Sequence, residues 1–134
     1  MPELLEFVRR DVLDVALGNT DNHARNTSVL KDASGRIALA PLYDFAPMIL
    51  DDRGIARVCR WADNADFPQW NLVAEALVDL GVDRAVARAL LREMADIVGG
   101  LPAVMRDCGV PDVVTERCAT RIERVARALL EVTP

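Results

Sequence analysis

The chain is poor in the residues from which most metal and redox sites are built: 134 residues hold one histidine, three cysteines, one tyrosine and one lysine. Cys59, Cys108 and Cys118 are an odd number without C-x-x-C spacing. Neither a disulfide framework nor a cysteine–histidine metal cluster is supported, and all three read most simply as small core residues. No basic and then apolar leader opens the chain, which together with the odd cysteines predicts a reduced, cytoplasmic protein. No apolar run approaches the roughly 20 residues that cross a bilayer, so a membrane-spanning helix is excluded. Aromatics are only 4% of residues, so the core must be Leu, Val and Ala, which favours helices. A formal charge of -5 gives no overall attraction to nucleic acid or to an anionic membrane. The length is that of a single domain, 1–134, and small for a complete two-lobed enzyme.

What is present is patterned. From Pro2 to Leu17, apolar side chains at Leu4, Leu5, Val8, Val12, Leu13 and Ala16 recur three or four apart, predicting a helix buried along one stripe and stopped by Gly18. Short runs, Thr27 to Leu30 and Arg36 to Leu39, flank the turn-forming Asp32-Ala33-Ser34-Gly35 and predict a hairpin within 27–40, ended by Pro41. Residues 41–67 lack a steady period and predict a long irregular segment with one strand near Ala56 to Cys59; such a loop in a small domain is usually functional.

Beyond Asp66 the pattern is helical over 68–132. Pro68 suits a first turn, Leu72, Val73, Ala76, Leu77 and Leu80 form a stripe, and Gly81 caps it. Asp83 N-caps a helix to about Val98, buried through Val86, Leu90, Met94 and Ile97 and stopped at Gly99-Gly100, with a short separate piece from Leu101 to Cys108. A last helix from Pro111 to about Val132 turns Val114, Cys118, Ile122, Val125 and Leu129 inward. Its Arg117, Arg121, Arg124 and Arg127 turn outward beside Glu116 and Glu123, a mixed-charge face that reads as solvated surface. Trp61 and Trp70 read as packing against these late helices.

The chemistry concentrates in Gly18-Asn19-Thr20-Asp21-Asn22-His23-Ala24-Arg25-Asn26, which holds the single histidine. Alone, these nine residues are accounted for by a polar loop that caps a helix. Their context changes the reading: Asp21 and Asn26 form D-x-x-x-x-N, and Tyr43-Asp44-Phe45-Ala46 follows beyond the hairpin, the order of a phosphoryl-transfer site. A hydroxyl nucleophile must yield its proton to a fixed carboxylate, and phosphate charge needs a metal held by hard oxygens. Asp21 fits the first role; Asn26 and Asp44 fit the second. Mg2+ keeps several waters, so one amide and one carboxylate suffice beside a nucleotide's phosphates. His23 and Arg25 would supply donors to phosphate oxygens.

The segment G-N-T-D-N-H-A-R-N followed by L-A-P-L-Y-D resembles the C-terminal catalytic region of HipA-like serine/threonine kinases, the toxins of bacterial toxin–antitoxin pairs. The motif-bearing match covers residues 8–50. The resemblance implies a mainly α, protein-kinase-like C-terminal lobe: a helical bundle whose small β-hairpin carries the catalytic loop 18–26 and the metal-binding segment 41–47. It implies Asp21 as general base, Asn26 and Asp44 as Mg2+ ligands, and His23, Arg25 and Tyr43, with Asp44, lining the phosphates of ATP. Arg25 stands where the family commonly has lysine. Such kinases also need a lobe with a phosphate-covering loop and a strand lysine; no Gly-rich loop occurs here and Lys31 lies after the catalytic loop, so by resemblance this is the C-terminal lobe alone.

The implied partners are a protein serine or threonine, a HipB-type antitoxin or a separately encoded N-terminal lobe, and, through apolar surface left for that lobe, a second copy of the chain. Direct nucleic-acid and membrane contacts are not expected. A non-catalytic remnant serving as a binding module, and an unrelated helical interaction domain, stand as the alternatives.

Overall fold

A computed structural model describes residues 2–133 and gives, in chain order, α1 (Pro2–Leu17), β1 (Val29–Lys31), β2 (Ile37–Leu39), α2 (Trp70–Asp79), α3 (Arg84–Asp107) and α4 (Asp112–Leu130). The described chain is mainly helical with one two-stranded antiparallel sheet. No helix among the described residues is long and apolar enough to cross a membrane.

The α1 stripe is buried as its spacing predicts: Val8, Val12, Val15 and Ala16 are in the core, with Leu4, Leu5 and Leu13 at its margin. Gly18 ends the helix at φ 73°, and the Asn19 amide closes back onto the Asp14 carbonyl at 2.9 Å, a left-handed cap. A Cβ on Gly18 would also lie 2.5 Å from the Ile49 side chain, so conformation and space both select glycine.

Helix α1 packs against α3 and α4, and α2 packs on α3. Trp70, Val73 and Leu77 of α2, Leu90, Leu91, Met94 and Val98 of α3, and Cys118, Ile122, Val125 and Leu129 of α4 close the core. Asp83 caps α3 as predicted, accepting from the amides of Ala85 and Val86 at 2.9 and 3.1 Å. Gly81, at φ 88°, ends the α2 turn.

The hairpin pairs Val29 with Leu39, Leu30 with Ala38 and Lys31 with Ile37, and Asp32 holds its turn by accepting from the amides of Ser34 and Arg36. Its base is tied to α1: the Leu39 amide donates to Glu3 Oε2 at 2.7 Å and Arg10 Nη1 donates to the Ala40 carbonyl at 2.7 Å. Beyond that base, Val29, Leu30 and Ile37 are exposed.

Several expectations are corrected. Helix α3 does not stop at Gly99-Gly100; it runs through both glycines and Pro102 to Asp107, absorbing the separate piece expected at 101–108. Two glycines and an interior proline cost several kcal/mol in an isolated helix, about 1 per glycine and about 3 for the proline. Leu101 and Met105 repay part of this by packing on the core. Residues 56–59 form no strand. The exposed side of α3 includes Val86 and Ile97, with Ala87 and Val98 buried in their place, and Leu72 of α2 and Leu80 just after it are exposed. In α4, Thr115 is buried and Val114 is only half-buried. Cys118 and Trp70 are core as expected, whereas Cys108 is exposed and Cys59 half-buried.

Arg121 does not turn outward. It is half-buried, donates Nε–H to the Val15 carbonyl at 2.6 Å, and stacks with Arg124 over Phe67.

Candidate functional site

The nine-residue loop leaves the end of α1 and is fastened from three sides. From below, Asn19 Nδ2 donates to Asp14 Oδ1 at 2.8 Å. Asp14 is a carboxyl one turn before the helix end, and burial pushes it up to about 6, with the Asn19 hydrogen bond only partly opposing that rise and neighbouring Asp11 adding to it. From the side, Asn22 grips the irregular segment: its Oδ1 accepts from the amides of Val58 and Cys59 at 3.1 and 3.2 Å, and its Nδ2 donates to the Cys59 carbonyl at 2.8 Å. One side chain thus satisfies backbone groups of Val58 and Cys59 that a pairing strand would otherwise satisfy.

That segment is itself fastened to α1. Asp11, 6% exposed, forms a buried ion pair with Arg57, 3% exposed, and accepts from Trp61 Nε1 at 2.8 Å. Both Asp11 oxygens are therefore engaged, as a buried carboxylate requires.

Within the loop, Ala24–Asn26 makes one tight 3-10 turn, and Asn26 Nδ2 donates to the Asp21 carbonyl at 2.9 Å. This fixes the amide so that its other end, Oδ1, remains available as an oxygen donor to a cation. His23 Nε2 stands 3.4 Å from Asp21 Oδ1, and His23 Nδ1 is buried without a partner. Asp21 and His23 are each about one-third exposed, so the carboxylate is reachable.

Across the hairpin, Tyr43 Oη donates to the Arg25 carbonyl at 2.8 Å. The residue before Asp44 is thereby anchored one residue from Asn26. Asp44 is exposed and has φ 52°, the left-handed region that few non-glycine residues occupy. The Arg25 side chain is exposed and makes no ion pair among the described residues.

A cavity of about 250 Å³ lies behind the loop, lined among others by Asp14, Asn19, His23, Asn26, Tyr43 and Phe45. Asp21, Arg25 and Asp44 are outside its wall. Of the predicted residues, His23, Asn26 and Tyr43 thus share a cavity, Asp21 touches His23 and Asn26 from its rim, and Asp44 is linked through Tyr43. Among the described residues no three His, Cys, Asp or Glu side chains converge to cage a metal.

Sequence reasoning passed over Asn22, Asn19, Asp14 and Asp11. The two asparagines stand within the quoted nine residues, and the aspartates interrupt the apolar stripe of α1 one turn apart, a placement that signals buried carboxylates with partners. Nothing in the spacing identifies Arg57 or Trp61 as those partners.

A family model described as the HipA-like C-terminal domain matches residues 1–100. No curated protein and no solved structure matches the chain.

Proposed function

This chain belongs to the HipA-like C-terminal domain family, and from that premise we propose that it is the catalytic-loop lobe of a serine/threonine kinase of a toxin–antitoxin pair. The observation that carries the reading is the Tyr43-to-Arg25 hydrogen bond, which draws the D-x-x-x-x-N loop and the Tyr43-Asp44 segment into one site from eighteen residues apart. The mainly helical fold, with a hairpin between the two segments, supports the reading of a kinase-like C-terminal lobe.

The substrate is ATP, and the acceptor is a protein serine or threonine. Asp21 accepts the hydroxyl proton; the hydroxyl oxygen bonds to the γ-phosphorus as the bond to the bridging oxygen breaks, and ADP leaves with that electron pair. His23 Nε2, beside the Asp21 carboxylate, orients it. Asn26 Oδ1 and the Asp44 carboxylate are the hard oxygens that would hold Mg2+, and the donor set suits it because Mg2+ keeps most of its waters. When bound, Mg2+ would neutralise phosphate charge. Strain supports the assignment of Asp44, since a non-glycine residue held at φ 52° is the kind of backbone outlier that clusters at functional positions. Arg25, exposed on the loop, would meet phosphate oxygens bidentately. An N-terminal lobe would supply the cover over the phosphates, and an antitoxin of the HipB type is the partner the family suggests.

Isothermal titration with Mg2+ and ATP tests the site. The chain is expected to bind Mg-ATP weakly and, by itself, to transfer phosphate slowly or not at all. Asp44→Ala, and Asp44→Asn, which the left-handed backbone tolerates, should each remove the Mg2+-dependent part of binding. Equal Mg-ATP binding by wild type and both variants would overturn the metal role.

A further inference from the structure

Where the cavity behind the loop meets α1 it carries Asp11 and Asp14 beside Phe7 and Arg10. Asp11 has spent both oxygens on Arg57 and Trp61, whereas Asp14 uses Oδ1 for Asn19 and has Oδ2 without a hydrogen bond among the described residues. Asn19 is 4% exposed, lines the same cavity, and its Oδ1 is buried with no partner. An acceptor left so is destabilising until a donor reaches it. On the loop side, His23 Nδ1 is also buried and unpartnered. The cation on the wall, Arg10, is already engaged by Glu6 and the Ala40 carbonyl. Phe7, Tyr43 and Phe45 supply ring surface. An anion entering at the α1 end would meet the Asp14 carboxylate and an arginine that is already engaged, so that end of the cavity favours a cation. A planar cation would gain a carboxylate oxygen, an amide oxygen and ring faces together.

We propose that this cavity receives an arginine side chain of the protein substrate, close to the phosphate-accepting residue, so that the lobe selects basic segments. The guanidinium carries five donors in a rigid fork and can address Asp14 Oδ2 and Asn19 Oδ1 at once, which an ammonium does less well. Its placement beside the acceptor rests on the kinase reading, because His23 and Asn26 line the cavity from the loop that carries Asp21. Asp14, lifted to about 6 by burial with Asp11 and Arg57 nearby, and sharing the cavity with Arg10 and His23, would hold its charge to lower pH against a guanidinium.

The test titrates the full chain, without nucleotide, with two serine peptides that differ only in carrying arginine or its neutral isostere citrulline beside the serine. The arginine peptide is expected to bind about tenfold tighter or more, the scale of one charge-assisted hydrogen bond. Asp14→Asn should erase that preference, while Asp96→Asn, which removes the same charge from the exposed face of α3, should keep it. Intermolecular NOEs should join the peptide serine to His23 or Asn22, and the Asp14 carboxyl, followed by carbon NMR in the wild type, should titrate at lower pH when the peptide is bound. Equal affinity for the two peptides, a preference that survives Asp14→Asn, an unmoved Asp14 titration, or NOEs placing the serine away from the loop would each overturn the proposal. Loss of Mg-ATP binding in Asp44→Asn is read separately, so the two assignments fail independently.

Discussion

Asp14 shows what a single half-buried carboxyl does to the whole chain. Its folded value of about 6 lies above the ordinary 3.8, so the folded state holds the proton more tightly than the unfolded one. The stabilisation from that proton is complete below about 3.8 and is lost as pH rises through about 6. At pH 7 the ionised group therefore works against folding. Replacing it with the isosteric amide, Asp14→Asn, is expected to raise stability at pH 7 by about 1–2 kcal/mol, after discounting for its partial exposure, and to flatten the fall in stability between pH 4 and 7. Urea denaturation across that range reads both effects; a variant less stable than wild type at pH 7, with the same pH slope, would refute the burial argument. A carboxyl kept at such a cost is the residue-scale sign that the cavity has a use.

At the scale of elements, the loop depends on how α1 ends. Gly18 satisfies the left-handed turn and clears Ile49, so Gly18→Ala meets both a strained backbone and a collision at 2.5 Å. We expect a loss of about 1–3 kcal/mol, with a Tm roughly 5–10 °C lower. In an Ile49→Ala background the collision disappears and only the backbone part should remain; an identical loss in both backgrounds would show that Ile49 is irrelevant. This cap was legible in the sequence, as were α1, the hairpin and the Asp83 cap, because each is written in local chemistry: a stripe, a turn cluster, an N-capping carboxylate. The course of α3 was not. Gly99-Gly100 and Pro102 are local stop signals, and what overrides them is the packing of Leu101 and Met105 on the core, which no local window contains. The candidate site divides in the same way. The loop and the Tyr43-Asp44 segment announce themselves by residue type and order, whereas the Asn22 clip and the Asp11–Arg57 pair join positions 36 to 46 residues apart and become visible only when the chain is folded.

The whole molecule extends beyond the span that marks its family. Residues 1–100 carry the loop and the hairpin, but α4 supplies Cys118, Ile122, Val125 and Leu129 to the one core. A chain ending at residue 100 is therefore expected to lose cooperative thermal unfolding and side-chain NMR dispersion, even with helical circular dichroism retained. Sharp unfolding by that fragment would show that the family span folds independently. The link that matters most here is Arg121, whose guanidinium reaches the Val15 carbonyl in the last turn before the loop, across 106 positions of chain. On a ribosome, the residues that would do chemistry emerge long before the arginine that braces them. The nascent protein therefore carries this loop without that brace until residue 121 has left the ribosome.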